Sequence, residues 1–174
     1  MYKRQAARKA VTGAGLKLYL KSGFSSTVTV FEVPEETTAD AILDGVKKDY
    51  NIMLAGSFDV LAGKVIRIGH MGNNATFYNV REVFAALDGT LAKLGVPLKA
   101  SMEKIFCESI REQIYSIYRN MHVAVEVDDY HFSRELLYEV DDGAYYDIYL
   151  LDIELPDMSG MELAQKLREK APYC

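Results

Sequence analysis

Residues 63–74, GKVIRIGHMGNN, constrain the fold most, because a short apolar run there carries a single arginine into a glycine-rich turn. Val65, Ile66 and Ile68 are β-branched and apolar, so the run belongs in a sheet. A sheet would hold Arg67 out from a rigid base, and its planar, five-donor fork matches a carboxylate or a phosphate. Gly69 and Gly72 leave room for close backbone approach. Spacing alone also admits an arginine snorkelling at a sheet edge or paired to a local acid. His70 reads as a turn histidine facing solvent.

The residues before this run supply its partners. Leu16, Leu18 and Leu20 alternate with Lys17, Tyr19 and Lys21, the period of a half-buried strand. TVTVFEV, residues 27–33, repeats the alternation in strongly strand-prone residues and stops at Pro34. A helix precedes both over residues 2–14, closed by Gly13 and Gly15. A second begins at a Thr38 cap and places Ile42, Val46 and Tyr50 on one face. The glycines of IMLAGSFDVLAG then imply a bend before the Arg67 strand. Asn74 is a candidate cap for a third helix, whose Val80, Val83, Phe84, Leu87, Leu91 and Leu94 recur at three- and four-residue steps. The order helix, strand, strand, helix, strand, helix describes a small α+β layer with helices over one face of a short sheet. No catalytic nucleophile or acid–base pair stands out in it.

Charge divides the chain. Residues 1–100 carry 13 Lys/Arg against 9 Asp/Glu, whereas residues 101–174 carry 7 against 16. Such a step argues for two units, with residues 96–102 and Pro97 as the joint. No basic and aromatic patch favours nucleic acid, and the acidic half would repel it. No run approaches the roughly eighteen apolar residues of a membrane span, and the start MYKRQAARKA lacks the apolar core of a signal peptide, so the expectation is a cytoplasmic protein. Cys107 and Cys174 show no metal-ligand spacing and read as free thiols.

From residue 8 to 95 the order of STVTVFEVPE, IMLAGSFDVLAGKVIRIGHMG and NNATFYNVREVFAALDGTLAKLG resembles the carboxy-terminal small domain of class V aminotransferases, the alanine–glyoxylate or serine–pyruvate type. The resemblance implies that Arg67 holds the α-carboxylate of a small amino or keto acid, and it implies pyridoxal phosphate as the family's cofactor. The family's cofactor-binding lysine and the aspartate that pairs with the pyridine nitrogen have no counterpart in these residues. A cofactor enzyme owes its hard chemistry to the cofactor and the groups that tune it, so no cofactor and no transaminase turnover are expected from this chain alone.

The acidic half reads as a helix over EKIFCESIREQIYSIYRN, a strand at HVAVEV, a helix at HFSRELLYEV and a near-continuous apolar run, DIYLLDIEL, of the kind that forms a parallel strand covered on both faces. Ser159 and Glu162 then begin a capping box for a last helix containing Leu163, Ala164 and Leu167. This αβαβα rhythm indicates right-handed parallel crossovers. Asp152 falls at the carboxyl end of the second strand, where open α/β sheets place their ligands, and a carboxylate there can take a phosphoryl group. It can equally cap a turn before Pro156. Asp128 and Asp129 read as a solvated turn.

YYDIYLLDIELPDMSGMELAQKLRE resembles the phosphoacceptor strand and following helix of response-regulator receiver domains, and the resemblance spans residues 103–174. It implies Asp152 as the phosphorylated residue, Mg2+ held by Asp152 and the backbone carbonyl of Glu154, and a histidine kinase as partner. LKASMEKIF stands where the family has a first strand ending in an acidic pair, so the metal site lacks two carboxylates. In the family that strand lies between HVAVEV and YLLDI. Without it about three aliphatic side chains lose cover, at a cost of roughly 5–9 kcal/mol. The fragment is then expected to be marginal, to recruit residues 96–100 as a substitute strand, or to self-associate through its exposed strand edges.

The combined reading is an α/β chain in which residues 1–98 form an aminotransferase-like α+β small domain. Residues 103–174 add a truncated, partial flavodoxin-like receiver unit, the whole a fusion inactive on its own. A two-component receiver phosphorylated on Asp152 is the alternative. A rearranged reading frame without selected function is a third.

Overall fold

The computed structural model describes residues 2–72 and 76–170, with Tyr2 described for its backbone alone. The Asn74 cap and Cys174 lie outside the described residues. Among the described residues six α-helices and two strands form, with one turn of 3-10 helix at Asp59–Leu61: α1 (Tyr2–Gly13), β1 (Val28–Glu32), α2 (Ala39–Tyr50), β2 (Val65–Gly69), α3 (Phe77–Lys93), α4 (Met102–Asn120), α5 (Ser133–Asp141) and α6 (Gly160–Lys170). They divide into two compact units, residues 1–75 with 79–125 and residues 76–78 with 126–174.

In the first unit β1 and β2 pair antiparallel, with Phe31 opposite Ile66 and Val30 opposite Arg67. The alternation of β1 does what its period requires: Thr29 and Phe31 are buried while Val28 and Val30 are half-covered. The strand expected over residues 16–20 shrinks to a short edge. The Tyr19 amide donates to the Val30 carbonyl at 3.0 Å and Glu32 donates back to Lys17 at 2.8 Å. Turns at Gly15 and Gly23, with φ of 92° and 67°, leave only these few residues alongside β1.

The helices cover the sheet as their apolar stripes demand. Thr38 caps α2, its hydroxyl accepting the Ala41 amide at 3.2 Å, and Ile42 and Val46 are fully buried. On α3 Val80, Phe84, Leu87 and Leu91 are buried. Gly45 permits the close approach of α2 to α3, since a Cβ there would stand 2.7 Å from Thr90 Cγ2. α4 joins this unit rather than the next. It packs on α1, where a Cβ at Gly13 would meet Ile105 Cδ1 at 2.8 Å, and its Phe106 ring lies 5.3 Å from Phe84. Contact therefore carries the first unit through Val125, beyond the charge step at residue 100.

The second unit corrects the expectation of a parallel sheet. Helices α5 and α6 form where expected and bury Leu136, Leu163 and Leu167 against one another. Neither 122–127 nor 147–155 forms a strand, and the flavodoxin-like unit is not present among the described residues. A ladder needs a neighbour on at least one side, and these two segments do not pair with each other. Tyr149, Leu151 and Leu155 turn onto the α5–α6 cluster, while Leu150 and Ile153 stay 69% and 72% exposed. Residues 96–100 are not recruited as a substitute. They stay in the first unit, with Val96 bonded to Leu91 and Lys99 to Ala14 at 3.0 Å each.

Candidate functional site

β2 fixes Arg67 as a sheet residue flanked by Ile66 and Ile68, both fully buried on the opposite face. Its backbone amide donates to the Ala55 carbonyl at 2.7 Å, an isolated bridge that draws residues 55–58 alongside the strand. The side chain is held by the same stretch: Nε donates to the Gly56 carbonyl at 2.5 Å, and the guanidinium carbon lies 5.5 Å from the Phe58 ring centre. No ion pair reaches Arg67 among the described residues, so the local-acid alternative is not what forms. The guanidinium is instead tethered through Nε to Gly56 and lies near the Phe58 ring, and neither contact uses its terminal amino groups. Such a fork is pre-organised for a planar anion.

No backbone approaches Gly69 or Gly72 closely, contrary to the expectation from the sequence, and only Gly72 needs to be glycine, for its backbone angle. A Cβ on either would meet nothing within 4 Å, and Gly72 sits at φ 58°, a region that L side chains seldom adopt. Phe58, Met53 and Val60 around the loop are largely exposed, leaving the approach to Arg67 apolar at its rim. A cleft of about 410 Å³ opens beside Val65, lined by Glu32 and Lys64 among others, and does not include Arg67.

His70 corrects the sequence reading. It is 7% exposed rather than facing solvent, its amide donates to the Thr27 carbonyl at 2.8 Å, and its Nε2 lies 3.0 Å from the buried Thr29 hydroxyl. Burial, with Arg8 and Arg4 nearby, holds the imidazole below its ordinary pKa. Cys107 is half-buried and free, and burial pushes its thiol up, away from the reactive thiolate.

In the second unit the Asp152 carboxylate accepts two backbone amides, Phe77 at 2.6 Å and the adjacent Ile153 at 3.0 Å. Gly160 packs so tightly on the Asp152 carbonyl that any Cβ would collide with it. Glu154 bridges locally to Ser159. Asp157 caps α5 by accepting the Ser133 and Arg134 amides at 3.0 and 3.2 Å. Among the described residues no group of three or more His, Cys, Asp or Glu gathers to hold a metal ion, so Asp152 and Glu154 do not fit the Mg2+ that the receiver resemblance implies. No described helix is long and apolar enough to cross a membrane.

The sequence indicated Arg67 but missed its two supports. Gly56 and Phe58 lie in the glycine-punctuated stretch that implied only a bend. The available signal was Phe58 itself, a large apolar residue beside Asp59 and two positions after Gly56 in a loop leading to a strand.

No protein-family model matches the chain. Part of it is similar to aminotransferases of class V type. It is 41% identical over 71 residues to the serine–glyoxylate aminotransferase of Methylorubrum extorquens, covering 40% of this chain and 18% of that one. It is 36% identical over 94 residues to a protein of a Synechococcus strain described as the small subunit of a soluble hydrogenase, covering 52% and 23%. Among solved structures it resembles the ureidoglycine–glyoxylate aminotransferase of Bacillus subtilis, with a TM-score of 0.60 and 26% identity over 63% of this chain and 29% of that one. The chain thus spans less than a third of the length of these relatives.

Proposed function

We propose that residues 8–95 are the substrate-carboxylate-holding module of an aminotransferase acting on small amino and keto acids, with Arg67 as the carboxylate receiver. The observation that carries this reading is the anchoring of Arg67: its Nε is tied to Gly56 and it lies near the Phe58 ring, with no ion pair to it among the described residues. The similarity of part of the chain to glyoxylate-using aminotransferases supports the choice of ligand class. One carboxylate oxygen meets each terminal amino group in the arrangement that gives arginine its preference for planar anions.

Pyridoxal phosphate supplies an electron sink to such transaminases. The described residues do not fit it: an imine-forming lysine is activated by desolvation in an apolar pocket, and no described lysine is buried. Within this reading Arg67 holds and orients one end of the substrate. The phosphoacceptor role of Asp152 and the histidine kinase partner have no supporting geometry and form no part of the proposal.

The test is an NMR titration of the Arg67 Nε–H resonance with pyruvate, using the full chain. The expected result is a saturable shift in the millimolar range. The same titration of Arg67→Lys, read on the backbone amides of β2, should require several times more ligand because the fork is lost. An Arg67 signal that moves no more with pyruvate than with equimolar chloride would falsify the reading.

A further inference from the structure

The first acidic residue of the chain is Glu32, and six lysines and arginines precede it. Two of these, Arg4 and Arg8, lie one turn apart on the same face of α1, a like-charge spacing that weakens a helix. Both reach to the same loop: Arg4 Nη1 donates to the Ser26 hydroxyl at 2.7 Å, and Arg8 Nη2 to the Ser25 carbonyl at 2.5 Å. The Arg8 guanidinium also lies 4.4 Å from the Phe24 ring centre, so its plane is held on both counts. The Ser25 and Thr27 hydroxyls sit 3.1 Å apart in the same loop. Behind them His70 is fixed on Thr27 and Thr29.

Tethering α1 to the loop does not account for this arrangement. Each bond to the loop uses a single N–H, and the two cations that make them share one helix face, where like charges at this spacing repel. Each guanidinium gives one N–H to the loop and has four left. No carboxylate pairs with either among the described residues, whereas Lys9, on the next face of the same helix, is paired to Glu112 at 2.8 Å. Burial first, and the neighbouring Arg4 charge second, hold the Arg8 guanidinium below its ordinary pKa.

We propose that Arg4 and Arg8, with the hydroxyls of residues 25–27, form a binding site for a phosphate dianion, separate from the carboxylate site at Arg67. Two forks converging on a hydroxyl-bearing loop offer more donors than a monoanion can use, and charge-assisted bonds to phosphate oxygens are the strong ones.

The test is a titration of the uniformly 15N-labelled full chain with sodium phosphate at constant ionic strength. It is read on the backbone amides of residues 24–28 and on the His70 ring, with acetate as the monoanion and glycerol phosphate as a small ester. The expected result is saturable phosphate binding about tenfold tighter than acetate, and about tenfold weaker in Arg8→Gln, which removes the charge and whose amide spectrum away from residues 4–8 and 24–28 should match the parent's. A rise in the His70 pKa on phosphate addition is also expected, because a nearby anion favours the imidazolium. Arg4→Gln provides the same comparison should Arg8→Gln fail to fold. Glycerol phosphate binding as tightly as phosphate identifies an ester as the ligand, and its exclusion identifies the free ion; either supports the site. Equal response to phosphate and acetate, or binding unchanged in both glutamine variants, overturns it.

Discussion

Gly45→Ala in α2 sets two magnitudes against each other. In a helix interior alanine is better than glycine by about 1 kcal/mol, so the substitution should stabilise an uncrowded helix. Here the new Cβ would stand 2.7 Å from Cγ2 of Thr90, which is 2% exposed and fixed in α3. Overpacking of this kind costs about 1–3 kcal/mol, so the net change is a destabilisation of about 0–2 kcal/mol. The atom responsible can be removed. Thr90→Ser deletes that methyl and alone should cost about 1 kcal/mol, as loss of one buried methyl does. In the double variant the alanine methyl occupies the space the threonine methyl leaves, so stability should return to within about 1 kcal/mol of the parent. The coupling energy from the four-member cycle is thus about 1–3 kcal/mol, favourable. Gly89→Ala is the contrast: its Cβ would meet the Tyr50 hydroxyl, the far end of a 38% exposed ring that can swing into solvent. The swing forfeits the Lys93 contact 5.5 Å from the Tyr50 ring centre, about 0.5–1 kcal/mol, and the helix gain of about 1 kcal/mol nearly cancels it. The assay is urea denaturation of the full chain followed by helical circular dichroism, with amide exchange of α2 and α3 reporting the first unit. Additive effects of Gly45→Ala and Thr90→Ser, or a larger loss at Gly89 than at Gly45, would refute the packing argument.

Two further outcomes follow from single side chains. Asp88 accepts the Ser101 hydroxyl at 2.7 Å and the Met102 and Glu103 amides at 2.9 and 3.1 Å, so it satisfies the first turn of α4; Asp88→Ala should cost about 1–2 kcal/mol and accelerate amide exchange in α4 ahead of α2. His70 is buried with its pKa depressed, so the unfolded chain binds the extra proton more readily. Stability should be full above the ordinary histidine value of about 6.5 and fall as pH drops below it, by about 1.4 kcal/mol per unit of depression. A urea midpoint in phosphate-free buffer that is flat between pH 7 and 5, or that falls equally in His70→Gln, would show that another group controls the acid limb.

The elements that were legible in the sequence are those whose own period names them. TVTVFEV forms a half-buried strand because its alternation matches the pleat, and α2 begins at Thr38 because a β-region threonine can accept an amide of the first turn. Residues 122–127 and 147–155 show the limit of the same reasoning. HVAVEV and DIYLLDIEL have as much strand propensity as β1, but propensity describes how a residue suits a ladder and cannot supply the neighbouring backbone. Arg67 was legible as a charged residue in an apolar strand. The burial of His70 was not, because it depends on Thr29, forty-one positions earlier in the chain.

The charge step at residue 100 misled for a related reason. A change of sign along a sequence is as compatible with attraction between two segments as with a boundary between them, and α4 shows the attraction. Its Glu103 meets Arg81 of α3 at 2.7 Å, and its Glu112 meets Lys9 of α1 at 2.8 Å. These pairs set orientation more than stability: the second is about two-thirds exposed on both sides, and exposed pairs contribute about 0–1 kcal/mol. The affinity of α4 for the first unit comes from Met102 and Phe106, both fully buried, and each such side chain contributes about 1.5–3 kcal/mol. Further along the helix the stripe fails, with Ile110 and Ile114 half-covered and Ile117 39% exposed. The helix is therefore anchored at its amino end, where Asp88 caps it and Phe84 stacks on it. The sequence period alone, continuous from Phe106 to Tyr118, does not distinguish the anchored turns from the uncovered ones.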